Sequence, residues 1–247
     1  MICDFLTLPD RRLAYQRLIG DPQRPGVIFL GGYASDMSGT KASFLAESCA
    51  KAGFSYLRFD YRGTGQSSGD FKQATLGDWL EDTCAVFDQL TKGNQIVIGS
   101  SMGGWLAFML ALQRPERARA LIGIAAAPDF TEALVRKTLT PDQEAKLEAE
   151  GFIVDPTAPP DFPVIITKKF MDEARQHLLL NQPININCPV HLLQGKADHD
   201  VPWQYALAIM EKLSSENKSL IFVDDGDHRL SRPQDLDLLW QIVLGIA

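Results

Sequence analysis

Short apolar runs alternate with longer amphipathic ones along most of this chain. The runs at 27–30 and 95–98 read as short buried strands, and those at 55–59, 120–126, 190–194 and 220–223 as further strands. Between them lie stretches with helical spacing at 41–52, 103–112, 203–213 and 236–246. The clearest helix starts at Thr75, which forms a capping box with Asp78. Leu76, Trp79, Leu80, Thr83, Val86, Phe87 and Leu90 then trace one face. Two opening strands, 5–8 and 13–18, flank Pro9-Asp10 as a hairpin. This alternation predicts an α/β fold with a mainly parallel central sheet and helices on both sides.

One interval breaks the rhythm. From 131 to 183 no strand is evident, but 141–150 and a segment ending in 172–180 suit helices, with Pro156, Pro159, Pro160 and Pro163 between them. The expected organisation is a core of 1–130 and 184–247 carrying a small helical cap insertion, 131–183. Insertions at the carboxyl edge of a parallel sheet tend to cover a site; a long decorated loop is the alternative. Phe152, Ile153, Val154, Phe162, Val164, Ile165, Ile166, Phe170 and Met171 make the interval apolar for a surface insertion. Some must pack it onto the core, and the remainder could line an acyl groove.

At 247 residues the chain suits one large domain. A net charge of −7 argues against nucleic acid or an anionic membrane as partner. The pair Lys168-Lys169 is too small to bind polyphosphate. No apolar run reaches the eighteen or so residues of a membrane helix, so no stable membrane insertion is expected. Cys3, Cys49, Cys84 and Cys188 have no paired spacing and read as reduced thiols. With no signal or transit pattern at the start, the expected compartment is cytoplasmic. No HExxH or CxxC occurs, so neither metal nor cofactor is expected. Nothing in the sequence sets an oligomeric state.

Two stretches match G-x-S-x-G: Gly65-Gln66-Ser67-Ser68-Gly69 and Gly99-Ser100-Ser101-Met102-Gly103. The motif acts chemically only where a serine sits on a tight strand-to-helix turn. The second follows the run Gln95-Ile96-Val97-Ile98 and opens a long apolar helix, whereas the first has neither. Ser101 is therefore the candidate nucleophile and Ser67 a loop serine. Asp60, Arg62 and Ser67 read as a polar network bracing the floor of the site.

A serine nucleophile needs a base oriented by a carboxylate. Of the four histidines, His191 lies inside a strand, His177 on the insertion, and His199 beside the acid candidate. His228, in the loop after the last strand, suits the base. Asp198, just past the penultimate strand, leads as the acid. Asp129, after the strand at 120–126, is the runner-up, and Asp200 suits a cap for the helix near Trp203. Oxyanion donors would be the Met102 N–H and, from the turn Gly31-Gly32-Tyr33-Ala34, the Tyr33 N–H. Read alone, that turn is an ordinary loop glycine pair.

The elbow, the Asp198-x-x-Val201-Pro202 segment and the late Asp227-His228 resemble the α/β-hydrolase superfamily. More narrowly, the chain resembles the branch containing mitochondrial palmitoyl-protein thioesterase, which also cleaves acyl glucuronides. The likeness includes Gly32-Tyr33, Met37, Gly39, Lys41-Ala42, Arg58-Phe59-Asp60-Tyr61, Thr75-Leu76-Gly77, Gly99 to Trp105, Arg114-Pro115-Glu116, Ala120-Leu121-Ile122-Gly123, Asn187-Cys188-Pro189 and Asp227-His228-Arg229. It implies Ser101, Asp198 and His228 as a catalytic triad. It also implies an enzyme hydrolysing carboxylic esters or thioesters, with a small-molecule or acylated-protein substrate. A non-catalytic ligand-binding protein of the same fold predicts loss of a triad member, and none is missing. A cofactor-free lyase or perhydrolase would use the same three residues. A haloalkane dehalogenase is disfavoured because the elbow carries serine instead of aspartate.

Overall fold

The structure, a computed structural model, describes residues 2–155 and 164–247. Pro156, Pro159, Pro160, Phe162 and Pro163 lie outside the described residues. The chain opens with an antiparallel hairpin of β1 (Asp4–Thr7) and β2 (Arg12–Leu18). Then follow β3 (Gly26–Leu30), α1 (Thr40–Ala52), β4 (Tyr56–Phe59), α2 (Leu76–Leu90), β5 (Gln95–Ser100), α3 (Met102–Gln113) and β6 (Ala118–Ile124). Between the sixth strand and the rest of the sheet come a π-helical turn (Thr131–Val135), α4 (Arg136–Thr138), α5 (Pro141–Glu150), β7 (Phe152–Val154), β8 (Ile165–Thr167) and α6 (Lys168–Ala174). The chain closes with β9 (Val190–Gly195), α7 (Gln204–Lys212), β10 (Lys218–Val223) and α8 (Pro233–Ile246).

Eight strands form one sheet in the order β1-β2-β4-β3-β5-β6-β9-β10. The β1/β2 and β2/β4 pairs are antiparallel and the others parallel. Every residue of β3 and β5 is buried, because each face of these apolar strands is covered. On one side α1 and α8 contribute Leu45, Cys49, Leu239 and Val243; on the other α2 and α3 contribute Trp79, Phe87, Trp105 and Phe108. Helix α3 is buried nearly all round, which suits a helix with no polar stripe.

Departures from the sequence expectation have local causes. The capping box of Thr75 and Asp78 forms, but Asp82 is fully buried beside the mainly apolar face of α2, and Leu90 is only half-buried. Arg11 and Arg62 pair with that carboxylate at 2.6 and 2.8 Å, which offsets its desolvation. Asp200 does not cap α7, whose N-cap Trp203 has no side-chain cap bond. The insertion is not wholly helical either, since β7 and β8 pair as an antiparallel hairpin. The helix expected to run to 180 gives way to a 3-10 turn at Arg175–His177. Beyond it the N–H groups of Leu179 and Leu180 each donate to the Asp129 carboxylate at 2.8 Å. Helix α6 docks by Glu173, which accepts the Gly77 N–H at the start of α2 at 3.0 Å and bonds His177 at 2.7 Å. The α2 end favours that negative charge.

Candidate active site

Ser101 sits between β5 and α3 with φ 55° and ψ −121°, a strained conformation for a residue with a side chain. The flanking glycines make it possible. A Cβ on Gly99 would lie 2.2 Å from the Gly103 carbonyl oxygen, and one on Gly103 would lie 2.2 Å from that of Leu30. The G-x-S-x-G spacing is thus a steric requirement of the turn. Ser67 has a different setting. Its hydroxyl donates to the Asp60 carbonyl at 2.6 Å and accepts the Ala14 N–H at 2.8 Å, tying its loop to β2. Asp60 belongs to that network, accepting the Met37 and Gln66 N–H groups at 2.7 and 2.8 Å. Arg62 does not join it; its guanidinium bonds Asp78, Glu81 and Asp82 on α2.

The loops after β9 and β10 bring Asp198 and His228 to Ser101. His228 Nε2 is 3.2 Å from Ser101 Oγ, and His228 Nδ1 is 2.9 Å from Asp198 Oδ2. A carboxylate only accepts, so Nδ1 donates and the Nε2 lone pair faces the serine. Asp198 has a fully buried side chain. Its Oδ1 accepts the Asp200 and Val201 N–H groups at 2.9 and 2.8 Å, while Oδ2 also accepts from Gln194 Nε2 at 3.0 Å. Burial alone would raise its carboxyl; the bond and charge of His228, with the Val201 and Gln194 bonds, outweigh that and hold it below the usual range. The two loops touch closely, because a Cβ on Gly195 would lie 2.2 Å from the Gly226 carbonyl oxygen.

The turn after β3 approaches the elbow from the other side, where a Cβ on Gly32 would sit 3.5 Å from that of Ser101. The Met102 N–H is the first of α3 and has no acceptor within its helix. Neither it nor the Tyr33 N–H is engaged by another group among the described residues. The Tyr33 ring is fixed edge-on against Phe71, Trp79, Phe130 and Phe170, with centroids 5.0 to 5.9 Å apart. Its hydroxyl donates to the Ile165 carbonyl on β8 at 2.8 Å, and burial raises its phenol. Beside this turn a cavity of about 290 Å³ opens between Ala34, Thr64, Phe71 and Ile165.

The remaining candidates fall elsewhere. Asp129 serves the insertion through Leu179 and Leu180. His191 bonds Ser219 at 2.7 Å, His177 bonds Glu173, and His199 is exposed. Asp198, Asp200 and His228 bring possible metal-ligand atoms within 4.8 Å of one another, but Asp198 and His228 already bond each other. Sequence reasoning missed Gln194, whose signal was a lone amide at the end of an apolar strand. It also gave no role to Lys41, which donates to the Arg229 carbonyl beside His228.

A family model described as the α/β hydrolase fold matches residues 25–146. The human palmitoyl-protein thioesterase ABHD10, mitochondrial, is 39% identical over 239 residues, covering 95% of this chain and 76% of the human protein. The structure of mouse α/β hydrolase domain-containing protein 10 superposes with a TM-score of 0.90 at 36% identity, covering 100% of this chain and 98% of the mouse chain. A protein from Agrobacterium vitis S4 superposes with a TM-score of 0.93 at 37% identity, covering 99% and 97%. The cytoplasmic expectation is corrected by these relatives: the bovine, orangutan, human, mouse and rat proteins all carry a mitochondrial name.

Proposed function

This chain belongs to the α/β-hydrolase family, and from that premise we propose that it cleaves acyl thioesters or carboxylic esters through an acyl-enzyme on Ser101. The observation that carries the reading is the hydrogen-bonded line from Ser101 through His228 to Asp198, set on a strained elbow. In this reading His228 Nε2 takes the hydroxyl proton as Ser101 Oγ attacks the acyl carbon. Asp198 stabilises the imidazolium and keeps its ring oriented. The N–H groups of Met102 and Tyr33 receive the oxyanion as it forms. The imidazolium then protonates the departing thiolate or alkoxide, and a water activated by the same nitrogen releases the acid. Residues 131–183 act as a cap over a core formed by 1–130 and 184–247.

The relatives are named palmitoyl-protein thioesterases, which favours an acyl thioester on a protein over a small alkyl ester. Labelling with a fluorophosphonate probe and mapping the modified peptide tests the assignment. The adduct is expected on Ser101. Ser101→Ala should abolish labelling and hydrolysis while remaining folded, and Ser67→Ala should keep most of both. An adduct on Ser67, or undiminished turnover by Ser101→Ala, refutes it.

A further inference from the structure

We propose that Lys41 is a positioning residue for the base, pinning the loop that carries His228 against the first turn of α1. The inference rests on the reading of His228 given above. Lys41 Nζ donates to the carbonyl oxygen of Arg229, the residue after His228, and lies 3.4 Å from Ser231 Oγ. Ser231 Oγ donates to the same carbonyl at 2.9 Å, so this oxygen is the point where the loop is held.

The loop's other bonds set its internal shape. Asp227 accepts the Leu230 N–H at 2.9 Å, with Leu230 at φ 43°. Arg232 forks to Asp225 at 2.7 and 3.0 Å and to Asp235 at 2.9 Å through each of two nitrogens. On its inner side the loop meets the β9 loop, where the Ala197 N–H donates to the Gly226 carbonyl at 2.9 Å. Lys41 adds a tie on a different side. It stands at the start of α1, directly after the segment that begins with the turn of Gly31, Gly32 and Tyr33. One ammonium thus links the base-bearing loop to the segment that supplies an oxyanion donor, and the distance between base and donor depends on it.

The charges facing Lys41 are Asp227 and Arg229 on the loop and Asp235 on α8. Burial pushes its ammonium down to about 8; Arg229 acts in the same sense, while Asp227 and Asp235 oppose. The ammonium is therefore half-charged near pH 8, mostly charged by pH 7, and the latch weakens as pH rises through this range. A neutral amine still donates, but without the charge that strengthens the bond.

Three forms separate this role from plain packing: wild type, Lys41→Met and Lys41→Arg. Fluorophosphonate labelling rates would be taken from pH 6 to 9.5, with hydrogen exchange of the peptide 224–232 at pH 7. Lys41→Met should slow labelling at pH 7 by tenfold or more and speed exchange of the loop. Arginine keeps its charge throughout this range, so Lys41→Arg should recover most of the rate and lose the decline that wild type shows above about pH 8. The inference is overturned if Lys41→Met leaves both rate and exchange unchanged, or if Lys41→Arg retains the wild-type decline. The second comparison stands even if the methionine variant folds poorly. Absence of labelling in wild type would count against the hydrolase reading, and the exchange measurement would still decide whether Lys41 holds the loop.

Discussion

Replacing Asp198 with Asn tests the proposed acid with almost no change of shape. The Oδ1 position faces two backbone N–H groups, of Asp200 and Val201, so the amide oxygen must occupy it. The new NH2 then takes the Oδ2 position, facing Gln194 Nε2 and His228 Nδ1. Turning the Gln194 amide would meet that NH2, at the cost of its donated bonds to the Gly195 and Val201 carbonyls. The imidazole has no such remedy. It must accept at Nδ1, which puts its proton on Nε2 and points a donor at Ser101 Oγ, where a lone pair is required. The same change in a serine protease triad lowers kcat by about 10⁴, or ~5.4 kcal/mol of barrier at 1.36 kcal/mol per tenfold. Steady-state hydrolysis of a chromogenic ester should show that loss in kcat with little change in KM. The variant should also differ in acid stability. The Asp198 carboxyl is held below its unfolded value of 3.8, so its contribution is present above that value and is lost as pH falls through the lower folded value. The variant lacks this contribution, and its unfolding free energy should vary less with pH in that window. A variant within tenfold of wild type, alongside an inactive Asp129→Asn, would place the acid after β6 and refute the argument.

Asp129→Asn should keep fluorophosphonate labelling within about threefold and lose about 1–3 kcal/mol in urea unfolding, because one of its atoms no longer accepts from Leu179 or Leu180. Tyr33→Phe keeps the ring cluster but releases the Ile165 carbonyl; a lost bond of about 0.5–1.5 kcal/mol should appear in urea unfolding, with kcat reduced more than KM is changed. Lengthening the acyl chain of an ester or thioester from four to eight carbons should raise kcat/KM tenfold or more, within a ceiling of about 0.8 kcal/mol per methylene. A flat series, or one that peaks at acetyl, would show that the insertion does not recognise acyl chains.

The features legible in the sequence are those that local sterics or periodicity enforce. Strands such as β5 and helices such as α2 carry enough residues for their period to register. The elbow is legible because a Cβ at Gly99 or Gly103 would collide with backbone, so the residue types report the geometry directly. The hairpin of β7 and β8 was invisible for the opposite reason: each strand has three residues, too few to show alternation. Asp82 escaped notice because its partners, Arg11 and Arg62, are remote in sequence and leave no trace in the periodicity of α2. The tie from Lys41 spans 188 positions and has no local signature at all.

The insertion shows how far apolar composition can be read as recognition. Of the nine side chains noted there, Ile153, Ile166, Phe170 and Met171 are buried. Ile153, Ile166 and Met171 pack with Leu147, and Phe170 joins the main core. These four are engaged in holding the insertion together and onto the sheet. Phe152, Val154, Val164 and Ile165 retain exposed surface, and of these Ile165 lines the cavity beside the Tyr33 turn, opposite Phe71. The same Ile165 offers its carbonyl to the Tyr33 hydroxyl. An acyl chain entering that cavity would press on the strand that steadies a proposed oxyanion donor. Chain-length preference should therefore appear in kcat as well as in KM, because occupancy of the cavity and placement of the donor share one residue.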